Sequence, residues 1–484
     1  MAVARLGGKL RRLRQDQRMT QAQMAAALGI SASYLNLLEH NQRPVTVPVL
    51  IKLAQRFSID VDLFNADDDE RLLSELMEAF ADPMFDAHEI KATELKELVT
   101  QSPSLGRAML TLYQGYRGTR AGSTAPSVAE AAVAGGDGDE SDALPAGMPS
   151  EEVSDFIQQR ANYFPELEAA AEALWTRHDL SLDTLYQGLA TVLATRYAID
   201  VAVLPVGAME GLLREYKPLQ RRLCLSELLP LSSRIFQLGH QLALLECRDA
   251  IDRLVSGGKF TTVEADALTR VALASYFAGA VMMPYERFLE AARDGRYDLD
   301  ILEHRFGASF EQVCHRLTTL RRPGATGIPF HLIRVDIAGN ISKRFSASGI
   351  RISRFGAACP RWNVYDAFAT PGMLRVQLSQ MPDGERFFCV ARTVDPTGRR
   401  MRRSILNQRV SRLSIGLGCG LASAREIVYA DGLSLDDPQL ITPIGVNCRI
   451  CERTDCADRA MPSLHRKLEV DENRRGVSAY TIAG

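Results

Sequence analysis

The chain has 484 residues, which is enough for about three domains. It is 46% apolar and 24% charged, as in globular proteins, and no run of about 18 apolar residues predicts a membrane span. The N-terminus lacks the apolar core of a secretory signal, so we expect a cytoplasmic protein without a membrane partner. In that compartment nine cysteines favour metal ligation or buried thiols over disulfides.

The N-terminal region is predicted to be a small basic helical head. Residues 1–60 carry nine Lys/Arg against three Asp/Glu, a net charge of +6, whereas the whole chain carries −2. Thr20 is a suitable N-cap, and Gly29 a suitable C-terminal residue, for one short helix. Ser31 can cap a second helix that runs to about Glu39. Two short helices joined by a Gly-containing turn predict a helix-turn-helix, and the charge favours a nucleic-acid partner.

This stretch resembles the DNA-binding domain of the XRE (phage-repressor-like) regulators. In that family the second helix enters the major groove of a double-stranded DNA operator. The resemblance implies a DNA-contacting surface made of Gln21, Ser31, Ser33, Tyr34, Asn36 and Arg43. Among these, Ser33, Tyr34 and Asn36 are expected to read base edges, and Gln21 and Arg43 to contact phosphate.

The rest of the chain changes composition several times. Residues 118–150 are rich in Gly, Ala, Ser, Pro and Asp without any aromatic residue, so they cannot bury a core. A strand is predicted at 197–206 within a largely helical region. After Pro323, "PFHLIRVDIAGNISKRFS" predicts strand, turn and strand, and "ERFFCVARTVD" and "RLSIGLGC" predict further strands. The predicted domains are a helix-turn-helix domain (1–66), a helical connector (67–117), a flexible linker (118–150), a helical domain (151–322) and an α+β domain (323–484).

The stretches "LSSRIFQLGHQLALLE", "LASYFAGAVMMPYERF" and "FGASFEQVCHRLTTL" resemble the ImmA/IrrE metallopeptidase domain. That family carries H-E-x-x-H on a helix, where two histidines bind zinc and the Glu is the general base. Here Phe236 replaces the first ligand, Gln237 replaces the base, and only His240 remains. We therefore expect a scaffold without peptidase activity, not an enzyme, with His240 buried and hydrogen-bonded in the core.

Three cysteines lie within nine residues in "CRICERTDC": Cys448, Cys451 and Cys456. The segment is polar, which distinguishes it from the single cysteines on apolar stretches, and it predicts a metal or cluster site. The best candidate for a fourth ligand is Cys359, which precedes a proline, ahead of Cys419 and His465. Zinc sites usually show two ligand pairs, so this spacing favours a [4Fe–4S] cluster, with zinc as the alternative.

The whole arrangement, including "CPRWNVYDAF" and "TPIGVNCRICERTDCADRAMP", resembles the PrpR/RamB-like short-chain fatty-acid regulators. The resemblance implies a transcription factor for propionate or acetate metabolism, acting on genes of the methylcitrate or glyoxylate cycle. It also implies an acyl-CoA sensor with a [4Fe–4S] cluster on Cys359, Cys448, Cys451 and Cys456. The expected fold is an all-α helix-turn-helix domain plus an α+β ligand-sensing region whose C-terminal part contains the cluster.

Acyl-CoA is polyanionic at one end and apolar at the other, so its site needs basic side chains beside an aromatic wall. The candidates are Arg160, Tyr163, Arg316, Arg321, Lys343 and Arg344. We expect propionyl-CoA or acetyl-CoA as effector and a homodimer on a two-fold operator. The alternatives are a redox- or iron-sensing regulator and an ImmA/IrrE-type zinc metallopeptidase that acts on a repressor.

Overall fold

The computed structural model describes residues 10, 14, 19–39, 43, 49, 52, 53, 56, 66–85, 88, 90–121, 149–258, 260–354, 358–395, 412–463, 473 and 477. These residues belong to two compact units, Met1–Tyr113 and Gln114–Gly484. Most of the predicted linker (122–148) and His465, one of the candidate metal ligands, lie outside the described residues.

Before residue 122 the described secondary structure is helical. The elements are α1 (Gln21–Leu28), α2 (Ala32–Glu39), α3 (Ala66–Ala79), a 3₁₀ turn (Pro83–Phe85), α4 (Ala92–Gln101) and α5 (Pro103–Ala121).

Local sequence signals explain the first two helices. The Thr20 hydroxyl accepts a hydrogen bond from the Gln23 backbone N–H, and the Gln23 side chain accepts one from the Thr20 backbone N–H. Gly29 ends α1 with φ +63°, a left-handed conformation that favours glycine. Apolar side chains from both helices are buried in one cluster, and Ile30 packs against it: Met24, Ala25, Leu28, Leu35 and Leu38. The predicted helix-turn-helix is confirmed.

The second unit begins with a helical layer. Its helices are α6 (Pro149–Gln159), α7 (Pro165–His178), α8 (Leu185–Tyr197), α9 (Leu231–Glu246), α10 (Arg248–Ser256), α11 (Val263–Met282), α12 (Tyr285–Asp294), α13 (Leu299–Phe306) and α14 (Phe310–Thr318). Among the described helices, none alone is long and apolar enough to span a membrane, although α11 and α12, bent by 64°, meet the length and composition criterion as a pair.

Three sheets accompany these helices, together with α15 (Asn363–Asp366) and short 3₁₀ turns. The strands are β1 (Asp200–Leu204), β2 (Arg214–Lys217), β3 (Arg222–Ser226), β4 (Arg321–Arg322), β5 (Ala325–Thr326), β6 (Phe330–Asp336), β7 (Ile341–Ser346), β8 (Arg375–Gln380), β9 (Arg386–Val394), β10 (Leu413–Gly420) and β11 (Ile441–Pro443). A three-stranded sheet, in the order β1-β3-β2, pairs β1 with β3 in parallel, and a two-stranded hairpin joins β4 to β5. A six-stranded sheet has the order β11-β8-β9-β10-β6-β7 and is antiparallel except between β11 and β8.

One buried cluster joins the helices to the six-stranded sheet. It includes Phe156, Phe277 and Phe288 on the helical side and Phe330 and Leu417 on the strands. The regions predicted as separate helical and α+β domains therefore share a core, which fixes the helices relative to the strands.

The strand–turn–strand prediction is confirmed, since β6 and β7 pair antiparallel around Gly339, whose φ is +89°. Strands β2 and β3 were not predicted. The linker bounds need correction, because α5 continues to Ala121 and α6 begins at Pro149. Proline is well tolerated at a first helical position, and the acidic side chains that follow favour the N-terminus of a helix.

Candidate functional site

The second helix of the head presents polar side chains to solvent. Ser33 and Asn36, one helical turn apart, are exposed, and Tyr34 is half-buried against the small core. The Ser31 hydroxyl accepts a hydrogen bond from the Tyr34 backbone N–H at 3.1 Å, so it caps α2. Arg43 is exposed.

A buried polar contact fixes α1 against α2. Glu39, at the end of α2, accepts two hydrogen bonds from the Arg14 guanidinium, at 2.7 and 3.1 Å. This contact raises the pKa of Arg14. Gln21 Nε2 donates to Glu39 Oε2 at 2.9 Å and to Asn36 Oδ1 at 3.2 Å. Gln21, predicted to contact phosphate, therefore also orients the helix that carries the predicted base readers.

On the peptidase-like helix α9, the one remaining histidine is buried. His240 is 5% exposed, and its Nδ1 lies 2.7 Å from Arg214 Nη1. Burial, with Arg214 adding to it, lowers the pKa of His240 to about 4, so Nδ1 accepts a hydrogen bond from the guanidinium. Phe236 packs against the main core. Phe236 cannot ligate zinc and Gln237 cannot act as a general base. Helix α9 therefore lacks two of the side chains that the peptidase reaction needs.

A cleft with a volume of about 540 Å³ lies where α6 meets α7. Three of the six predicted ligand residues line it, namely Arg160, Tyr163 and Arg321. Glu166, in the first turn of α7, lines it too and opposes the lowering of the Arg160 pKa by burial. The N-terminus of a 14-residue helix, which favours anions, therefore faces the same space as two arginines.

The turn at this cleft has an unusual backbone. Ala161 and Asn162 both have positive φ, 50° and 52°, a conformation that L residues other than Asn and Asp rarely adopt. The Asn162 side chain supports the turn by donating to Thr318 Oγ1 at 2.9 Å. Strained backbone of this kind tends to occur at functional sites.

The other three predicted ligand residues lie outside this cleft. Arg316 is 2% exposed and donates to both oxygens of Glu168, at 2.5 and 2.9 Å, so it has a structural role. Lys343 Nζ lies 3.4 Å from Glu311, and Arg344 pairs with Glu151. The sequence analysis named these three cations as candidate acyl-CoA ligands, and in the structure each has an acidic partner within the protein.

The cysteine segment is joined to the segment that carries Cys359. The Cys359 backbone N–H donates to the Val446 carbonyl at 3.0 Å, and Trp362 Nε1 donates to the Gly445 carbonyl at 3.2 Å. Burial, with a smaller contribution from nearby Cys448 and Cys451, raises the pKa of Cys359 to about 11. Cys456 similarly contributes to the raised pKa of Cys451.

Cys359 is therefore held against residues 445–446, next to the segment that carries the other three predicted ligands, whereas Cys419 is buried on β10. Gly445 makes room for the Cys451 side chain, because a Cβ there would lie 2.9 Å from Cys451 Sγ.

Arg459 organises the cysteine segment from within. It is 6% exposed and donates to four backbone carbonyls, those of Cys448 (2.8 Å), Met461 (3.4 Å), Cys451 (3.1 Å) and Arg453 (2.5 Å). Sequence analysis missed this role, although an arginine so close to three cysteines was the available signal.

Among the described residues, no three His, Cys, Asp or Glu side chains are arranged to hold a single metal ion. A tetrahedral zinc needs its sulfurs about 3.8 Å apart, from a Zn–S distance of about 2.3 Å. In a four-iron cluster each thiolate binds a different iron, so the sulfurs stand farther apart. The choice between the two groups therefore rests on the spacing of the cysteines in the sequence.

Comparisons with known proteins agree with this architecture. Residues 10–64 match the helix-turn-helix family, 194–318 the IrrE N-terminal-like domain, and 319–480 the short-chain fatty acyl coenzyme A regulator C-terminal domain.

Three named regulators match this chain over nearly their whole length. The HTH-type transcriptional regulator PrpR of Mycobacterium tuberculosis is 41% identical, over 98% of this chain and 95% of that protein. RamB of the same species is 39% identical, over 100% and 99%. The propionyl-CoA carboxylase regulator of Cereibacter sphaeroides is 40% identical, over 98% of each.

A solved Mycobacterium tuberculosis transcriptional regulator is 42% identical and superimposes with a TM-score of 0.64. It covers 69% of this chain and 99% of its own length. Together with the helix-turn-helix, the IrrE-like scaffold and the C-terminal domain, these likenesses show that the chain belongs to the PrpR/RamB family of helix-turn-helix transcriptional regulators.

Proposed function

We propose that this protein regulates genes of short-chain fatty-acid metabolism, those of propionate first, in response to a CoA thioester bound in the cleft between α6 and α7. The observation that carries the proposal is the meeting of Arg160, Tyr163 and Arg321 at the N-terminus of α7. The names of the relatives support the effector class, since one regulates propionyl-CoA carboxylase. The target genes follow from the same resemblance and are those of the methylcitrate or glyoxylate cycle.

The cleft suits such a ligand chemically. Arg160 and Arg321 offer guanidinium groups to phosphates, and the helix N-terminus adds a favourable dipole. Phe164, Leu254 and Pro323 give the same space apolar walls. A molecule that combines phosphates with an apolar chain satisfies both parts of this lining, whereas a free fatty acid would leave most of the positive charge unused.

The output is DNA binding by the head. Ser33, Tyr34 and Asn36 on α2 read base edges, while Gln21 and Arg43 contact phosphates. A homodimer would place two heads on a two-fold operator. The operator is obtained by selecting duplexes from a random-sequence pool with the full chain.

A [4Fe–4S] cluster is held by Cys359, Cys448, Cys451 and Cys456, with zinc as the alternative occupant. When bound, such a cluster supplies one-electron redox chemistry and a covalent link between distant segments. The chain's own residues join those segments as well, through the hydrogen bonds of Cys359 to Val446 and of Trp362 to Gly445.

The half-exposed side chains of Cys448 and Cys456 favour a second candidate function, in which the redox state of the cluster is the signal. Operator binding by the oxidised and by the reduced protein separates this candidate from acyl-CoA sensing. In the redox case the affinity changes with reduction in the absence of any acyl-CoA.

Calorimetry on the full chain with propionyl-CoA, acetyl-CoA and free CoA tests the cleft. Arg160→Gln and Arg321→Gln are each expected to weaken binding about 10-fold or more, because a hydrogen bond to a charged group contributes about 1.5–3 kcal/mol. Arg425→Gln is the matched control, since Arg425 is an exposed arginine outside the cleft. Unchanged affinity in both cleft variants contradicts the assignment.

A further inference from the structure

Strand β4 carries two consecutive arginines with different surroundings. Arg321 lines the cleft between α6 and α7, as does Pro323 after it. Successive side chains of a strand point to opposite faces, so Arg322 points away from the cleft. Its side chain is 25% exposed and pairs with carboxylates on α7 and α12.

Several contacts fix the Arg322 guanidinium. Nη2 donates to Glu172 Oε1 on α7 and Nη1 to Glu286 Oε1 on α12, each at 2.6 Å. The guanidinium carbon lies 4.1 Å from the centre of the Tyr285 ring, and the Arg322 backbone N–H donates to the Tyr285 hydroxyl at 2.7 Å. Two carboxylates and a ring together restrict the planar guanidinium to one orientation, which a single exposed ion pair would not do.

The third donor of this guanidinium reaches a residue of the cleft wall. Arg322 Nε donates to the Tyr163 hydroxyl at 3.3 Å. The Tyr163 ring also stands edge-on to Tyr285, with the ring centres 6.1 Å apart and the planes at 69°. Tyr163 lines the cleft, whereas Arg322 and Tyr285 do not. Residues outside the lining therefore fix where the Tyr163 hydroxyl lies.

The proton of the Tyr163 hydroxyl is left for another partner. A tyrosine hydroxyl donates one proton and accepts hydrogen bonds on its oxygen, whereas an arginine only donates. Arg322 therefore occupies an acceptor position of the hydroxyl and leaves its proton unused. In the described part of the chain no acceptor lies within hydrogen-bond distance of this hydroxyl, and the residue is half-buried. A molecule in the cleft can accept that proton.

The other polar groups of the lining indicate which ligand atom this is. Arg160 precedes Tyr163 by three residues, and α7 begins two residues after it at Pro165. The charged side chains of the lining are Arg160, Arg321 and Glu166, a balance of +1 from two arginines and one glutamate. Guanidinium groups and a helix N-terminus both favour phosphate, whose oxygens accept several hydrogen bonds at once.

We propose that the Tyr163 hydroxyl donates a hydrogen bond to a phosphate oxygen of the CoA thioester, and that Arg322 is the positioning residue that holds the hydroxyl for this contact. The inference rests on the function proposed for the cleft. Arg322 does not touch the ligand. Without it the Tyr163 hydroxyl takes other orientations, so part of the same hydrogen bond is lost.

A double-mutant cycle in the full chain tests this, with propionyl-CoA and free CoA as titrants in calorimetry. Tyr163→Phe keeps the ring and removes the donor, so it should weaken both ligands about 10-fold or more, the usual effect of a hydrogen bond to a charged group. Arg322→Gln should weaken them about threefold or more in the wild type but less than about twofold beside Tyr163→Phe, because the two residues act through one hydrogen bond. Arg322→Lys keeps the charge without the fork and should behave as Arg322→Gln does.

Each substitution has a matched control outside the cleft lining. Tyr216→Phe removes the hydroxyl of a half-buried tyrosine on β2. Arg177→Gln removes an exposed arginine that pairs with Glu246. Both controls should leave the two affinities unchanged, and a loss in either one as large as that in Tyr163→Phe would overturn the inference.

Three further results would contradict it while leaving the proposed function standing. Unchanged affinity in Tyr163→Phe removes the donor. Equal weakening by Arg322→Gln with and without Tyr163→Phe shows that Arg322 acts through its charge and not through the hydroxyl. A loss confined to propionyl-CoA places the hydroxyl at the thioester carbonyl instead of a phosphate. A wild-type protein that binds no propionyl-CoA removes the proposed function, and this inference with it.

Discussion

Helix α9 and the cysteine segment both resemble metal sites, but their side chains are arranged in opposite ways. On α9 one histidine remains, and Arg214 hydrogen-bonds to its Nδ1. In the cysteine segment three thiols remain, and Arg459 binds the backbone of Cys448 and Cys451 rather than their sulfurs. In the first region an arginine occupies the ring nitrogen that a metal would need, and in the second an arginine holds the backbone and leaves the sulfurs unbound by it, so the fold alone does not decide where a metal can bind.

The largest effect is expected from removing one cysteine. Cys451→Ser in the anaerobically purified full chain should abolish an iron and sulfide content of about four each per chain. His240→Ala should leave that content unchanged, and Cys247→Ser, which alters a buried thiol elsewhere, is the matched control. A wild-type protein with stoichiometric zinc and no iron would break the comparison.

Arg459→Ala should destabilise the second unit by about 3 kcal/mol, because it leaves buried carbonyls without their charged donor. Both tryptophans of the chain, Trp175 and Trp362, lie in this unit, so fluorescence during urea unfolding reports on it.

Arg361→Ala is the control for Arg459. It removes a partly exposed arginine that pairs with Asp458 in the same neighbourhood and should cost less than about 1 kcal/mol. Equal losses in the two variants would show that Arg459 has no special role in the segment.

Protonation of His240 should destabilise the second unit at low pH. Its pKa of about 4 in the fold lies below the ordinary 6.5, so the neutral form is favoured in the folded protein. The contribution of neutral His240 to the free energy of unfolding, about 3 kcal/mol, is fully present above pH 6.5. It is lost as the pH falls towards 4. His240→Gln should flatten the dependence of the urea midpoint on pH in this window, and an unaltered slope would contradict the account.

The smallest effect is expected from restoring two peptidase side chains. Phe236→His with Gln237→Glu should still bind no stoichiometric zinc, because Arg214 remains hydrogen-bonded to His240 Nδ1 and two histidines are one ligand short. Metal analysis after zinc addition, with the wild type as reference, provides the measurement. One tightly bound zinc per chain would reverse the contrast between the two regions.

Local signals in the sequence predicted the elements that they control. Thr20 caps the start of α1 and Gly29 ends it, and the "AGN" turn joins β6 to β7. Strands β2 and β3 escaped prediction because "REYK" is half-buried throughout and "RLCLS" is almost wholly buried, so neither alternates.

Long-range partners limited the prediction of the cleft. The pairing of Arg316 with Glu168 spans 148 residues, and that of Arg344 with Glu151 spans 193. Such distances leave no periodic pattern in a single sequence. Arg160 and Tyr163, which were predicted to bind acyl-CoA, line the cleft and are close together in the sequence, whereas Glu166 gave no comparable signal.

The most direct test of acyl-CoA sensing is the affinity of the full-length protein for its selected operator, measured by fluorescence anisotropy with and without saturating propionyl-CoA, and with free CoA for comparison. Acyl-CoA sensing predicts a change of about fivefold or more with propionyl-CoA and a smaller one with free CoA. Identical operator affinity in all three conditions would contradict it.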